Sequence, residues 1–308
     1  MDIKSKLMQK NGLMAMTLAK EFLPMEEGDR ILTVAQISEK YKTARGTIQA
    51  ALKFLQEYGA IVLEPRGHLG TFINKISYEK LLEISDIKTI VGVMPLPYSK
   101  GYEGLATGLY NTLSATSFNI SLAYMRGANN RVQALKEERY DFVVMSKLAA
   151  EYYINNGEDI EIVLGFDPHS YVNEHIVIFK NKEDKEIKDG MNVGIDYSSI
   201  DHEILSLHQC EGKNVNYVSM IYSQILNKIL SGEIDAAIWN KDDIKDNDKK
   251  FNYYSIRNEK FNYADTEAVI VVNKNNEYLT KLLKKFLDKD QILDIQKKVV
   301  NEEIIPNY

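Results

Sequence analysis

Thr33-Val-Ala-Gln-Ile-Ser-Glu-Lys-Tyr-Lys-Thr-Ala-Arg-Gly-Thr-Ile-Gln-Ala-Ala-Leu-Lys-Phe-Leu55, followed closely by Ile61-Val-Leu-Glu-Pro-Arg-Gly-His-Leu-Gly-Thr-Phe-Ile73, decides how the first part of this chain folds. The segment opening at Thr33, with Ala35 and Ile37, predicts a short helix. Ala44 to Tyr58 predicts another. There Ile48, Ala51, Leu52 and Leu55 share one face at the 3.6-residue period, and Gly46, Gln49 and Lys53 share the opposite one. Tyr41, Lys42 and Thr43 make the tight turn between the two helices, and Gly59 supplies a stop signal. The β-prone residues flanking Pro65, Gly67 and Gly70 predict a hairpin. Upstream, Leu13, Met16, Leu18, Ala19 and Phe22 recur at helical spacing until Gly28 and Asp29 break the pattern.

Helix, tight turn, helix and hairpin in that order are the layout of a winged helix-turn-helix, whose second helix enters a major groove. The leading residues of that helix, Ala44, Arg45, Gly46 and Thr47, come nearest to base edges, with Gln49 one turn further on. Arg45 suits guanine and Gln49 suits adenine. Thr33 and Gln36 on the preceding helix, Lys53, and Arg66 and His68 on the hairpin complete the predicted contact set. Lys40 to Lys75 holds six basic and two acidic residues, so positive charge gathers where phosphates would lie. These segments resemble GntR-type regulators, through Thr33-Val-Ala-Gln-Ile37, Ala44-Arg-Gly-Thr-Ile48, Ala51-Leu52 and Arg66 to Ile73. The chain departs from that pattern at Ala35 and Gln49, where the family commonly has arginines, so the operator code does not carry over.

The bulk properties agree with a small basic domain joined to a larger acidic one. Residues 1–80 hold 12 Lys+Arg against 9 Asp+Glu, and the remainder holds 26 against 35, for a formal net charge of −6 over 308 residues. With 44% hydrophobic and 27% charged residues the composition is that of a folded globular protein. Cys210 is the only cysteine, which excludes an internal disulfide and fits a reducing compartment. No export signal or spanning segment is read, so a cytoplasmic location is expected and a solute receptor for transport is disfavoured.

After a short charged helix from about Ser77 to Ile84, nine strand candidates from Thr89–Met94 to Ala268–Val272 alternate with helical stretches, which predicts an α/β domain with largely parallel sheets. Strand ends in such domains converge on ligands. The candidate ligand contacts are therefore Pro97, Tyr98, Ser99, Tyr102 and Glu103 after the first strand, then Arg126, Ser146, His169 and Glu174. Asp196, Ser198, Ser199, Trp239 and Asn240 complete the set. Helix N-termini with serines suit anions and Arg126 suits a carboxylate or phosphate. Acidic neighbours, including Asp196 and Asp201, leave a zwitterionic or amino-bearing ligand equally open. A small polar or anionic metabolite is the expected partner, beside double-stranded DNA.

The closest resemblance is to the YhfZ-type regulators. It is carried by Met94-Pro-Leu-Pro-Tyr98, Tyr102-Glu-Gly-Leu-Ala106, Met125-Arg-Gly-Ala128 with Arg131-Val132, and Leu148-Ala-Ala-Glu151. Tyr171-Val172 with Glu174-His175, Ile238-Trp-Asn240 and Thr266-Glu-Ala-Val269 complete it. The resemblance implies a GntR-like winged helix joined to a two-lobed, periplasmic-binding-protein-like (type II) effector domain, without supplying a ligand. On that expectation residues 1–76 bind DNA, 77–87 link, and 88–308 bind the effector, with one lobe at about 88–180 and 264–308 and the other at about 181–263. A homodimer is expected, because one recognition helix reads little sequence.

Asp167, His169, Glu174 and His175 invite a metal reading, since imidazole and carboxylate suit transition metals, but ordinary polar or hinge roles explain them. His202 and His208 lie six residues apart and point to different helix faces. No phosphate-binding loop, dinucleotide turn or nucleophile elbow is present, so no cofactor and no catalysis are expected. An enzyme built on the binding domain is the alternative, with Glu103, His169, Glu174 and His175 as acid and base groups.

Overall fold

The computed structural model describes residues 9–87, 89–114, 119–244, 251–256 and 261–308. The described chain divides into two compact units. The first gathers the described residues up to Ile90 with Ser114, Asn119 and Glu277–Phe286, and the second holds the rest.

In the first unit α1 (Lys10–Phe22), α2 (Val34–Lys40) and α3 (Arg45–Glu57) precede a hairpin of β1 (Ile61–Pro65) and β2 (Thr71–Ile76), and α4 (Tyr78–Ser85) follows. The start of α2 is set by a reciprocal cap. The Gln36 backbone N–H donates to Thr33 Oγ1 at 3.3 Å, and the Thr33 N–H donates to Gln36 Oε1 at 2.9 Å, satisfying two orphan donors. The expected apolar face of α3 is buried, with Ile48, Ala51 and Leu55 fully covered. These pack with Leu18, Ala19 and Phe22, the buried face of α1, in a unit whose core also takes Ile61 and Ile73 from the hairpin. The hairpin is antiparallel, with a bulge between Val62 and Leu63 and a short 3₁₀ turn at Gly67–Leu69.

One element of this unit was expected elsewhere. Helix α10 (Glu277–Phe286) lies in the stretch assigned from sequence to a lobe of the C-terminal domain, yet it groups with the helices of the first unit. Its strongly amphipathic pattern buries Leu279, Leu282 and Leu283. Lys285 Nζ donates to the Met25 carbonyl and to Tyr78 Oη, each at 2.8 Å, and the Tyr78 and Phe286 rings meet edge to face at 6.0 Å.

The second unit carries two five-stranded sheets. The first runs β4–β3–β5–β12–β6, from β3 (Ile90–Met94), β4 (Ile120–Tyr124), β5 (Phe142–Ser146), β6 (Ile160–Gly165) and β12 (Ala268–Asn273). The second runs β11–β7–β10–β8–β9, from β7 (His175–Phe179), β8 (Asn192–Ile195), β9 (Asn216–Ser219), β10 (Ala236–Asn240) and β11 (Asn252–Ser255). Helices α5 (Lys100–Ser114), α6 (Ala128–Lys136), α7 (Lys147–Asn155) and α11 (Lys289–Val300) accompany the first sheet's strands in sequence, and α8 (Ile200–Gln209) and α9 (Ile225–Ser231) the second's. This is a two-lobed α/β unit, as expected.

Three sequence expectations need correction. The sheets are mixed, not largely parallel: β12 runs antiparallel to β5 and β6, and β7 runs antiparallel to β10 and β11. Alternating strand and helix patterns do not fix strand direction, which depends on the sheet end at which each connection arrives. Strand β7 belongs to the second sheet, so the first crossover precedes His175 instead of lying near Asn181. Strand β11 was not anticipated at all; Asn252-Tyr-Tyr-Ser255 is short, polar at both ends and half-exposed. Among the described residues no helix is long and apolar enough to cross a membrane.

The placement of α5 depends on two glycines. A Cβ on Gly104 would lie 2.8 Å from the Gln296 carbonyl, and one on Gly108 2.7 Å from that of Ile292, so α11 backbone rests directly on α5. Gln296 then reaches the Gly101 and Ser170 carbonyls at 2.9 and 2.7 Å. Because the obstruction is backbone, Gly104→Ala should destabilise the protein by about 1–3 kcal/mol. A lower urea midpoint with an unchanged slope is the expected reading. An unchanged midpoint would mean that the two helices separate freely.

Candidate functional site

Two places gather the residues singled out from sequence. In the first unit Thr33, Gln36, Ala44, Arg45, Gly46, Gln49, Lys53, Arg66 and His68 are exposed and Thr47 is half-buried. Arg45 and Gln49 are exposed on α3, outside its buried face of Ile48, Ala51, Leu52 and Leu55. Others are partly committed. The Gln36 side chain is spent on the cap of α2, Lys53 pairs with Glu57 at 3.5 Å, and Arg66 is held by Glu64 at 2.8 Å while lying 4.7 Å over the Phe72 ring. Exposed pairs of this kind are weak and exchange readily for phosphate.

In the second unit the carboxyl ends of β3, β4, β8 and β10 surround a cavity of about 110 Å³. Seven expected contacts line it: Tyr98, Tyr102, Arg126, Asp196, Ser198, Ser199 and Asn240. Seven others do not, each for a visible reason. Pro97 is half-buried outside the cavity, and Ser99 Oγ caps α5 by accepting the Tyr102 N–H at 3.3 Å. Glu103 pairs with Lys100 one turn back at 3.1 Å. Ser146 lies behind the wall, where its Oγ accepts the Ala149 N–H and donates to Asp201 Oδ1 at 2.5 Å. His169 faces a neighbouring surface depression and bonds the Asn173 carbonyl at 2.6 Å. Glu174 is engaged by Lys241 at 2.5 Å. Trp239 backs Tyr222, with parallel rings 4.1 Å apart.

The walls close on each other tightly. Gly127 has φ +80°, and a Cβ there would lie 2.7 Å from the Ser198 carbonyl, so only glycine serves at this turn before α6. Asn129 donates to the Tyr197 carbonyl at 3.1 Å, and Arg126 approaches Asp196 at 3.7 Å. Asp196 itself accepts from the Ser198 N–H at 2.9 Å, from Ser198 Oγ at 2.6 Å and from the Tyr222 N–H at 2.8 Å. Burial opposes its ionisation, but the Ser198 hydroxyl, the two backbone donors and Arg126 outweigh burial and hold its carboxyl below the usual range.

Several lining residues were missed or misjudged from sequence. Arg131 is 3% exposed, and donates to the Met125 carbonyl at 2.8 Å and to Tyr171 Oη at 3.2 Å. A signal existed, since Arg131 falls on the apolar face of α6 with Ala128, Val132 and Leu135, where a charge needs a reason. His202 likewise lies on the buried face of α8. Its Nδ1 accepts the Asp196 N–H at 3.2 Å and its Nε2 donates to the Ile238 carbonyl at 3.1 Å, which makes it neutral, and burial lowers its pKa to about 4. His175 Nδ1 meets Asp265 Oδ2 at 2.7 Å, a pairing ninety residues apart in sequence that no motif reports. Burial pushes the carboxyls of Asp201 and Asp243 up to about 6. Among the described residues no three His, Cys, Asp or Glu side chains are grouped to hold a metal.

Comparison with known proteins agrees with this arrangement. The family described as the YhfZ C-terminal domain matches residues 77–308, and the one described as a helix-turn-helix domain matches residues 26–73. The protein YhfZ of Escherichia coli K12 is 33% identical over 309 aligned positions, covering 99% of this chain and 100% of that one. The crystal structure of YhfZ from Shigella flexneri superimposes with a TM-score of 0.64 at 33% identity, covering 75% of this chain and 97% of that one. The methionine-binding protein MetQ is more distant, with 15% identity and a TM-score of 0.48 over 72% of this chain and 99% of its own. Matched over three quarters of its length by one family description and aligned almost end to end with a relative, the chain belongs to the YhfZ family.

Proposed function

We propose that the chain is a sequence-specific DNA-binding regulator whose operator affinity is set by a small molecule held between the two lobes of its C-terminal domain. The exposed leading turn of α3 carries the DNA half of this reading, because Arg45 and Gln49 are exposed there and lie outside the helix's buried face. In this division of labour residues 1–76 contact DNA, 77–87 connect, and 88–308 bind the effector. A homodimer on a pseudo-palindrome fits a helix that reads only a few base pairs.

The cavity at the strand ends, lined by charged and aromatic side chains, supports the effector half. A ligand that favours the closed lobes can act on DNA only if closure alters the recognition helices, and the coupling is then reciprocal. One observation favours catalysis as a second reading: His175 lines the cavity and is oriented by the buried Asp265, as a general base would be. Turnover of a bound compound, lost in His175→Ala, would establish it.

Selection from a random duplex library should enrich one paired site. At that site Arg45→Ala should cost about 1–3 kcal/mol and relax discrimination at one position, whereas Lys53→Ala should weaken all sequences and lower the salt slope by about 1. Recovery of no preferred sequence would sink the DNA reading. An effector should change operator affinity by about 5- to 150-fold in titrations with and without it. Monomeric protein on a single unsymmetrical site would rule out the dimer.

A further inference from the structure

The charge in the cleft is lopsided. Arg126 and Arg131 share the cavity with Asp196, Asp201 and Asp243. Arg126 approaches Asp196 at 3.7 Å, with its Nη1 buried and without a hydrogen-bond partner among the described residues, and His202 is neutral. His175 and Asp265 form their own pair, which adds no positive excess in either protonation state. That leaves Arg131, which faces Asp201, as one further positive charge beside the two carboxylates of Asp201 and Asp243. Asp243 Oδ1 is buried with no hydrogen-bond partner among the described residues, and Oδ2 has only the Tyr222 hydroxyl at 3.2 Å.

Three of the helix starts suited to an anion are meanwhile taken, and the fourth, α6 at Gly127, has no side-chain cap. At the turn into α8 the protein's own Asp196 carboxylate already accepts the Ser198 and Tyr222 N–H groups. Ser99 and Ser146, at the other strand ends, cap their own helices.

We propose that the ligand of this cleft is a small amine, whose protonated amino group sits against the carboxylates of Asp201 and Asp243. This rests on the effector reading above. An ammonium group donates charge-assisted hydrogen bonds to carboxylates lining the cavity and offsets the excess negative charge. Tyr98, Tyr102 and Tyr222, which line the same cavity, offer ring faces to a cation. Arg131, buried and with Nε unpartnered among the described residues, receives an acidic group should the amine carry one. Burial already opposes ionisation of both aspartates, so a cation beside them relieves a cost present in the empty cleft.

The test uses the full chain and three sets of short-chain compounds: amino acids, the same acids without the amino group, and the same amines without the carboxyl group. Amino acids, amines or both should raise the melting temperature, and the deaminated acids should not. Asp243→Asn and Asp201→Asn keep the bonds from Tyr222 and Ser146, so the empty variants should melt no lower than the parent. Their affinity for the stabilising amine should fall at least about tenfold.

Acidification from about pH 7 to about pH 5 should weaken amine binding, because only ionised carboxylates hold an ammonium group. The groups facing Asp201 are Ser146, His175, Asp265 and Arg131, and those facing Asp243 are Tyr222, Asp242 and His175. Stabilisation that is unchanged or grows on acidification overturns the assignment to these carboxylates. Equal or exclusive stabilisation by the deaminated acids overturns the amine and leaves the effector reading standing. Failure of all three sets also overturns the amine. In that case operator titration with a small-molecule cell extract decides the rest: a shifted affinity retains an effector, and no shift removes both proposals.

Discussion

The carboxylate of Asp196 is the anchor on which the cleft depends. It sits where β8 ends and α8 begins, a point at which backbone N–H groups are left without helical partners. By accepting from Ser198 and Tyr222 it fixes two loops of one lobe, and by attracting Arg126 it draws the other lobe toward them. Gly127 lets the backbone behind Arg126 come against the Ser198 carbonyl. The backbone of the same residue orients His202, whose Nδ1 takes the Asp196 N–H and whose Nε2 reaches Ile238 on β10. Wall, floor and closure therefore share one residue.

This arrangement has an electrostatic consequence. An internal anion at a helix N-terminus fills the place that a ligand anion would otherwise take, and leaves the remaining pocket charge to Arg131, Asp201 and Asp243. Asp201 is further tied through Ser146 to the start of α7, so the charge state of the pocket bears on elements of both lobes. The helix-turn-helix unit has a different character: its α3 buries an apolar face and leaves Arg45 and Gln49 exposed.

Much of the fold was legible in the residues. Helix α3 was placed within a residue at each end because its apolar period is clean and Gly59 follows it, and the hairpin because Pro65, Gly67 and Gly70 punctuate β-prone runs. Alternating strands and helices pointed to an α/β domain, and its two lobes followed from the resemblance to binding-protein-like effector domains. The strand ends also identified half of the candidate cleft residues, because in such folds the turns after the strands converge wherever the sheets are placed.

What the sequence determined by itself was local: which stretches are helix or strand, where they stop, which face is apolar, and that one end of the chain carries a helix-turn-helix. Strand direction, sheet membership and the partners of buried charges were decided only in the tertiary structure. The pairing of β12 with β5 and β6, the transfer of β7 to the second sheet and the docking of α10 with the N-terminal helices join segments far apart in the chain, and no local period encodes them. The site shows the same division. Arg131, His175 and Asp243 acquire their meaning from residues tens of positions away, because the field at a buried group is set by whatever the fold brings within a few ångströms of it, regardless of order along the chain.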